Sequence, residues 1–324
     1  MEDNKKYTIV FAGQGAQKPG MGKSLYDASP AARAVFDRAG DGIKFDCFEA
    51  DAERLRQTEV TQPAVYTMDM AAYAALREAL EIEEGRFPEP AGVAGFSLGE
   101  YAALTAAGVI GSFETGLELV RKRSMLMAEA GTNPDGSRRG TMAAGMGDKD
   151  AVLALVEKAR GADVLEAVNF NSPQQTVVAG DISAVERFAE LAKGDRSLGV
   201  KAIPLSVSGA FHSPIMRPAA EGLAQALEDY TFGEPKLAVY LNSTGSIMEA
   251  DMKADAIMVR QIQSPVEWQQ TVENMRAGGV ETIVEVGPGK TLSGLVKKIA
   301  PELTTLHAED AESLAEACES LRRG

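Results

Sequence analysis

Two histidines occur in this chain of 324 residues, so any chemistry that needs an imidazole must choose between His212 and His307. The residue that would need one is Ser97, set in Gly95-Phe96-Ser97-Leu98-Gly99. A Gly-x-Ser-x-Gly pattern is a nucleophile elbow when a strand turns sharply into a helix and lifts the serine into an exposed, strained position that the flanking glycines accommodate. The pentapeptide alone is easily matched by chance in a glycine-rich chain, so its context must decide. A short apolar run at residues 91–95 leads in, and an alanine-rich helical run from Glu100 leads out to Gly108, which is the strand-turn-helix order the motif requires. Ser97 then carries an acyl group as an ester, and the amide of Leu98, at the helix N-terminus, is placed to stabilise a developing oxyanion.

A serine hydroxyl is a poor nucleophile until a base takes its proton, and histidine is the usual base because its unperturbed pKa lies near neutrality. His307 sits in the acidic stretch Leu306-His307-Ala308-Glu309-Asp310, which reads as surface. His212 sits in Ser208-Gly209-Ala210-Phe211-His212-Ser213-Pro214, a polar turn between a predicted strand and a helix starting near Pro218, where functional loops tend to lie. A helix-capping or buried structural histidine is the alternative. A hydrolase triad would add a carboxylate in the chain order serine, acid, histidine, yet no acid between Ser97 and His212 stands in a distinctive loop motif. A backbone carbonyl can hold the imidazole tautomer instead, which suits transfer between activated thioesters.

Along the helix expected over residues 113–130, Arg123 falls between Leu119, Val120, Leu126 and Met127 on the most apolar side, while Lys122 projects between Glu118 and Glu129. An inward arginine needs an anion, and its planar fork suits a carboxylate. Either an internal salt bridge or a substrate carboxylate meets that need. Gln14, at the end of the first strand, stands where open sheets bind ligands. Two glycine loops fail as phosphate motifs: Lys18 replaces the third glycine of a dinucleotide fingerprint after Gly13-Gln14-Gly15, and Val284 replaces the first glycine of a phosphate loop before Gly289-Lys290-Thr291. Both read as tight strand-to-helix turns.

Elements able to hold these residues follow from the patterning. Residues 7–11 read as a first strand, residues 64–80 as an apolar helix, residues 281–286 as a further strand, and residues 291–299 as a helix. Alternation of this kind gives an α/β core with a mainly parallel sheet. Between Asn133 and about Ser206 the texture changes. Strands near residues 141–146, 164–169, 176–179 and 201–205, with helices near 150–160 and 182–193, make the βαββαβ order of a ferredoxin-like unit.

A hydrophobic content of 45% provides for a substantial core. A net charge of −14 argues against general affinity for nucleic acid or anionic membrane, which are bound through clustered Lys and Arg. The basic runs Arg121-Lys122-Arg123 and Lys297-Lys298 are the candidates for meeting an acidic protein, the latter reading first as a solvated helix face. No uncharged apolar stretch reaches the roughly 20 residues of a membrane span. The opening Met1-Glu2-Asp3-Asn4-Lys5-Lys6 lacks the order of a signal peptide, so the expectation is a cytoplasmic protein. Cys47 and Cys318 are too few and too far apart for a disulfide framework or a thiolate metal site, and read as packing residues.

Taken together, Phe11-Ala12-Gly13-Gln14-Gly15-Ala16-Gln17, Gly95-Phe96-Ser97-Leu98-Gly99-Glu100-Tyr101, Asn169-Phe170-Asn171-Ser172-Pro173, Ala210-Phe211-His212-Ser213-Pro214 and Val286-Gly287-Pro288-Gly289-Lys290 resemble the malonyl-CoA:acyl carrier protein transacylase family over nearly the whole chain. The resemblance implies an α/β-hydrolase-like core, residues 1–138 and 207–324, with a ferredoxin-like small subdomain inserted at 139–206. It implies Ser97 as nucleophile, His212 as base, Arg123 as ligand of the malonyl carboxylate, and Gln14 with the Leu98 amide around the oxyanion. Gln261 matches the residue whose backbone carbonyl orients the histidine, and Asn171 falls in the substrate-side loop. The implied substrates are malonyl-CoA and acyl carrier protein, in fatty acid biosynthesis, with no metal and no cofactor beyond the coenzyme A thioester itself.

Two positions depart from that family's pattern. Phe96 stands where many members have histidine, and Ala12 where many have proline, which bears on acyl selectivity. Phe211 resembles malonyl-selecting relatives. A serine hydrolase remains the first rival, because it shares the elbow. A nucleotide-binding module using residues 287–291 is the second.

Overall fold

A computed structural model describes residues 6–323; the opening residues 1–5, considered above for leader character, and Gly324 lie outside them. Among the described residues, nine strands form two sheets: β1 (Tyr7–Phe11), β2 (Gly92–Gly95), β3 (Thr141–Met146), β4 (Leu165–Ser172), β5 (Gln175–Gly180), β6 (Lys201–Pro204), β7 (Ala238–Tyr240), β8 (Thr282–Val286) and β9 (Thr304–Ala308). Five of them pair in the order β7-β2-β1-β8-β9, and every pairing in that sheet is parallel. Parallel strands need helical crossovers that cover both faces, which is why β1 is buried along its whole length. Ile9 and Phe11 pack with the helix Thr58–Leu80 in one core, and Val10 packs with Trp268 and Val272 in a second core on the opposite face.

The helix Thr58–Leu80 begins six residues before the apolar run that announces it, and holds Pro63 inside it. Because proline lacks an N–H and crowds the preceding turn, the sequence pattern there reads as a helix only from Ala64. Expected and observed limits of the other elements named above agree to within three residues.

The second sheet has the order β4-β5-β3-β6, antiparallel throughout. The helices Lys149–Arg160 and Ile182–Gly194 connect its strands as βαββαβ, the ferredoxin-like arrangement. They cover one face through Val152, Leu155 and Phe188, while Met142, Ala144, Val177 and Ala179 on the other face join the main core. A further tie links this sheet to the rest of the molecule. The amide of Phe170 donates to the carbonyl of Val266, and the amide of Val266 donates to the carbonyl of Val168, both at 2.9 Å.

Cys47 and Cys318 are buried free thiols. Lys297 and Lys298 are exposed. Among the described residues, no helix is long and apolar enough to cross a membrane.

Candidate active site

Ser97 stands at the C-terminal end of β2 with φ of 52°, the left-handed region that a side chain enters only at a cost. Two glycines make that turn feasible. A Cβ on Gly95 would lie 1.9 Å from the carbonyl carbon of Gly99, and one on Gly99 would lie 2.4 Å from the carbonyl oxygen of Phe11. The strand end, the turn and the first turn of the helix Gly99–Ala106 therefore touch through bare backbone. Asn242, 2% exposed just beyond β7, pins the turn from outside. Its Oδ1 accepts the amide of Ser97 and its Nδ2 donates to the carbonyl of Gly95, both at 2.6 Å.

His212 comes from the other side of the crevice, also with positive φ, 61°. Ser213 follows it and caps the short turn Pro214–Met216, its hydroxyl donating to the carbonyl of Ala210. His212 Nε2 lies 2.7 Å from Ser97 Oγ, and its Nδ1 lies 2.9 Å from the carbonyl oxygen of Gln261. A carbonyl oxygen only accepts, so Nδ1 carries the proton and Nε2 offers its lone pair to the serine hydroxyl. Burial, and then the nearby Arg123 cation, push the imidazole pKa down to about 4. The ring is thus neutral, in the basic form, through the whole neutral range.

Arg123, on the helix Phe113–Ala130, is 1% exposed. Its Nη1 donates to Gln62 Oε1 at 2.7 Å, and its Nη2 to Ser97 Oγ at 3.2 Å and to Gln261 Oε1 at 3.1 Å. The guanidinium lies over the ring of Tyr101, 5.4 Å from its centroid. Among the described residues no carboxylate forms a salt bridge with it. That removes the internal salt bridge as the explanation for an inward arginine and leaves a buried cation held by neutral amides. Its neighbour Lys122 turns outward instead, to Glu118 at 3.3 Å and the ring of Tyr230.

Gln14 lines the same cavity as Ser97, of about 490 Å³ between the two sheets. Its side chain joins a chain of amides: Gln62 donates to its Oε1, and its Nε2 donates to Thr58. Leu98 is fully buried, and its contribution would be the backbone amide that opens the helix Gly99–Ala106. Asn171 lines the cavity from β4, 7% exposed, with an Oδ1 that has no hydrogen-bond partner among the described residues. Phe96 contributes to the wall and meets Trp268 edge-on, ring centroids 5.6 Å apart. Phe211 lines the cavity beside His212. His307 stands half-buried on β9, in register with Glu285 and apart from this constellation.

Three residues with a part in this geometry were not singled out by sequence reasoning. Gln62 lies in the stretch before Ala64, Asn242 follows a strand of only three residues, and Glu100 directly follows the elbow. Glu100 is 2% exposed; its Oε2 accepts from Gln261 Nε2 at 2.5 Å and its Oε1 from the amide of Asn242 at 3.1 Å. The nucleotide-loop reading of residues 287–291 meets a physical obstacle. The amides of Leu292 and Ser293, at the start of the helix Thr291–Ile299, donate to the buried carboxylate of Glu285 at 3.0 and 2.7 Å. An anion from the protein already occupies that helix end.

An elbow serine, an imidazole held by a carbonyl and a buried unpaired arginine, mounted on a parallel sheet with a small antiparallel one above it, define an acyl-transferring enzyme class rather than a carboxylate-triad hydrolase. Residues 8–317 match the acyl transferase domain family, and the chain belongs to it. It is 39% identical over 317 residues to the malonyl CoA-acyl carrier protein transacylase of Haemophilus influenzae, a span covering 95% of this chain and 97% of that one. Among solved structures, the malonyl CoA-acyl carrier protein transacylase of Clostridium perfringens superposes with a TM-score of 0.89 at 36% identity, covering 98% of each chain. A malonyl-transacylase solved in complex with its type II polyketide acyl-carrier protein superposes with a TM-score of 0.87 at 35% identity, over 97% of this chain and 99% of that one.

Proposed function

We propose that the chain is a malonyl-CoA:acyl carrier protein transacylase of fatty acid biosynthesis, moving a malonyl group through an ester on Ser97. One observation carries the choice of acyl group: the guanidinium of Arg123 is buried without a carboxylate partner among the described residues, 3.2 Å from Ser97 Oγ. A buried cation in that state is costly until an anion reaches it. The free carboxylate of a malonyl group, two bonds beyond the reacting carbonyl carbon, is an anion of the right reach.

His212 takes the proton of Ser97 as the oxygen attacks the thioester carbonyl. The Leu98 amide, with Gln14 beside it, receives the charge that develops on the carbonyl oxygen. The tetrahedral adduct then expels coenzyme A, whose sulfur takes the proton from His212. In the second half the phosphopantetheine thiol of the carrier gives its proton to His212, its sulfur attacks the malonyl-serine carbonyl, and Ser97 recovers its proton. A neutral carbonyl behind His212 stabilises an imidazolium less than a carboxylate would. A thiolate departs with little protonation, since a thiol pKa lies near 8.5, so a less stabilised imidazolium suffices for exchange between thioesters. The ester is held from water by Arg123, which fixes the acyl carboxylate. The unit at residues 139–206 contributes Met142 and Val177 to the lining of the cavity that holds Ser97. Arg56, an exposed basic residue lining that cavity, favours encounter with an acidic carrier.

Intact-mass analysis after mixing with malonyl-CoA tests the reading. A malonyl adduct that persists, disappears in Ser97→Ala and is discharged by holo acyl carrier protein is the expected result. Rapid release of free malonate without any acceptor would make the chain a hydrolase.

A further inference from the structure

Arg123 and Glu100 are fully buried and share one intermediary, the side-chain amide of Gln261, whose oxygen accepts from the arginine while its nitrogen donates to the carboxylate. That amide belongs to the residue whose backbone carbonyl holds His212. Three parts of the site therefore meet in one residue, and the only carboxylate among them is one that the chemistry above leaves unused.

We propose that Glu100 is a positioning residue that balances the charge of the acyl pocket: ionised, it offsets Arg123 in the empty site, and it takes up one proton when the substrate carboxylate arrives. This rests on the reading of Arg123 as the ligand of that carboxylate. With Arg123 and Glu100 both charged, the buried site is neutral. A second carboxylate would leave it one negative charge in excess in a region with little solvent, and like charges so placed cannot both remain ionised cheaply. The proton comes from solvent and forms the O–H bond of the Glu100 carboxyl.

The surroundings of Glu100 suit this role. Asn242 and Gln261 approach it as neutral donors. Tyr101, next along its own helix, has a phenol pushed up by burial, and His212 is held neutral. Arg123 is the charge that acts on it. Burial raises the Glu100 carboxyl to about 7, against the pull of its two donors and of Arg123. The empty site is thus poised to gain or lose this proton near neutrality.

Proton linkage is measured by titrating malonyl-CoA into the Ser97→Ala protein in buffers of different ionisation enthalpy. Uptake of about one proton per site at pH 8, falling to about none at pH 5.5, is the expected result. At pH 8 a histidine restored even to its ordinary pKa stays neutral, so His212 cannot supply that uptake. Absence of uptake at pH 8, or its persistence after adding Glu100→Gln, would overturn the proposal. The titration of the Ser97→Ala protein stands alone should Glu100→Gln fail to fold.

In steady state, the ratio of kcat/KM for malonyl-CoA to that for acetyl-CoA should fall about tenfold between pH 6 and pH 8 in the unmodified enzyme and stay level in Glu100→Gln. A level ratio in both, with the malonyl adduct still forming on Ser97, defeats the role of Glu100 alone. Failure to form the adduct defeats the functional reading itself.

Discussion

Replacing Arg123 with alanine separates charge recognition from chemistry. The guanidinium is 1% exposed and held by two glutamine amides and the serine hydroxyl, with no carboxylate bonded to it among the described residues. A malonyl carboxylate bound there forms a buried, charge-assisted pair, and breaking such a pair by removing one partner costs about 3–5 kcal/mol because the other charge is left unmatched. At about 1.4 kcal/mol per factor of ten, kcat/KM for malonyl-CoA should drop by two to three orders of magnitude or more. Acetyl-CoA brings no charge. For acetyl transfer the substitution removes the contact from Nη2 to Ser97 Oγ, worth about 1 kcal/mol, while the contacts to Gln62 and Gln261 are lost equally for both thioesters. The kcat/KM for acetyl-CoA should therefore fall by less than about tenfold. Single-turnover acylation followed by intact mass gives both rates on one protein, with circular dichroism to show that the fold is kept. Losses that agree within about threefold for the two thioesters would refute the reasoning.

Two further outcomes follow from the geometry around Ser97. Because His212 is pushed down to about 4, the rate of acylation by acetyl-CoA, measured after brief pH jumps, should stay level from pH 8 to about 5 and fall only as the imidazole protonates near 4. A midpoint near 6.5, the ordinary histidine value, would show that burial and Arg123 do not govern the base. Replacing Asn242 with alanine leaves the Ser97 amide and the Gly95 carbonyl without their 2.6 Å partners. Stability in urea should fall by about 2–4 kcal/mol, with kcat reduced more than KM rises. An unchanged denaturation midpoint would mean that the elbow holds itself.

The strand-turn-helix at Ser97 was legible because its signals are local: a short apolar run, two glycines and an alanine-rich helix adjoin one another in the chain. Arg123 was legible as inward because a helix of 18 residues fixes which side each residue takes. What faces it was not, since the absence of a carboxylate partner is a fact about four other segments. The carbonyl of Gln261 entered only through family resemblance, for a main-chain group leaves no mark on residue type. Gln62 was hidden by Pro63, which makes the head of its helix look like a loop. Glu100 adjoined the motif in plain view, yet a glutamate in the first turn of a helix reads as favourable dipole chemistry, and only its burial gives it another meaning. Asn242 had no signal at all: a strand of three residues has no periodicity to announce it.

The double hydrogen bond between β4 and Val266 bears on how such enzymes can be recombined. By covalent count the small sheet is an insert with one entry and one exit, a unit that invites exchange between relatives. Beyond the face it packs into the main core, it has a backbone attachment at Val266, five residues beyond the carbonyl that holds His212. A transplanted sheet brings its own cavity wall but must also meet Val266 in register, or the segment carrying that carbonyl shifts with it. The natural seam for a chimera therefore includes residues 261–266 along with the sheet, so that wall, stitch and imidazole support travel as one inheritance.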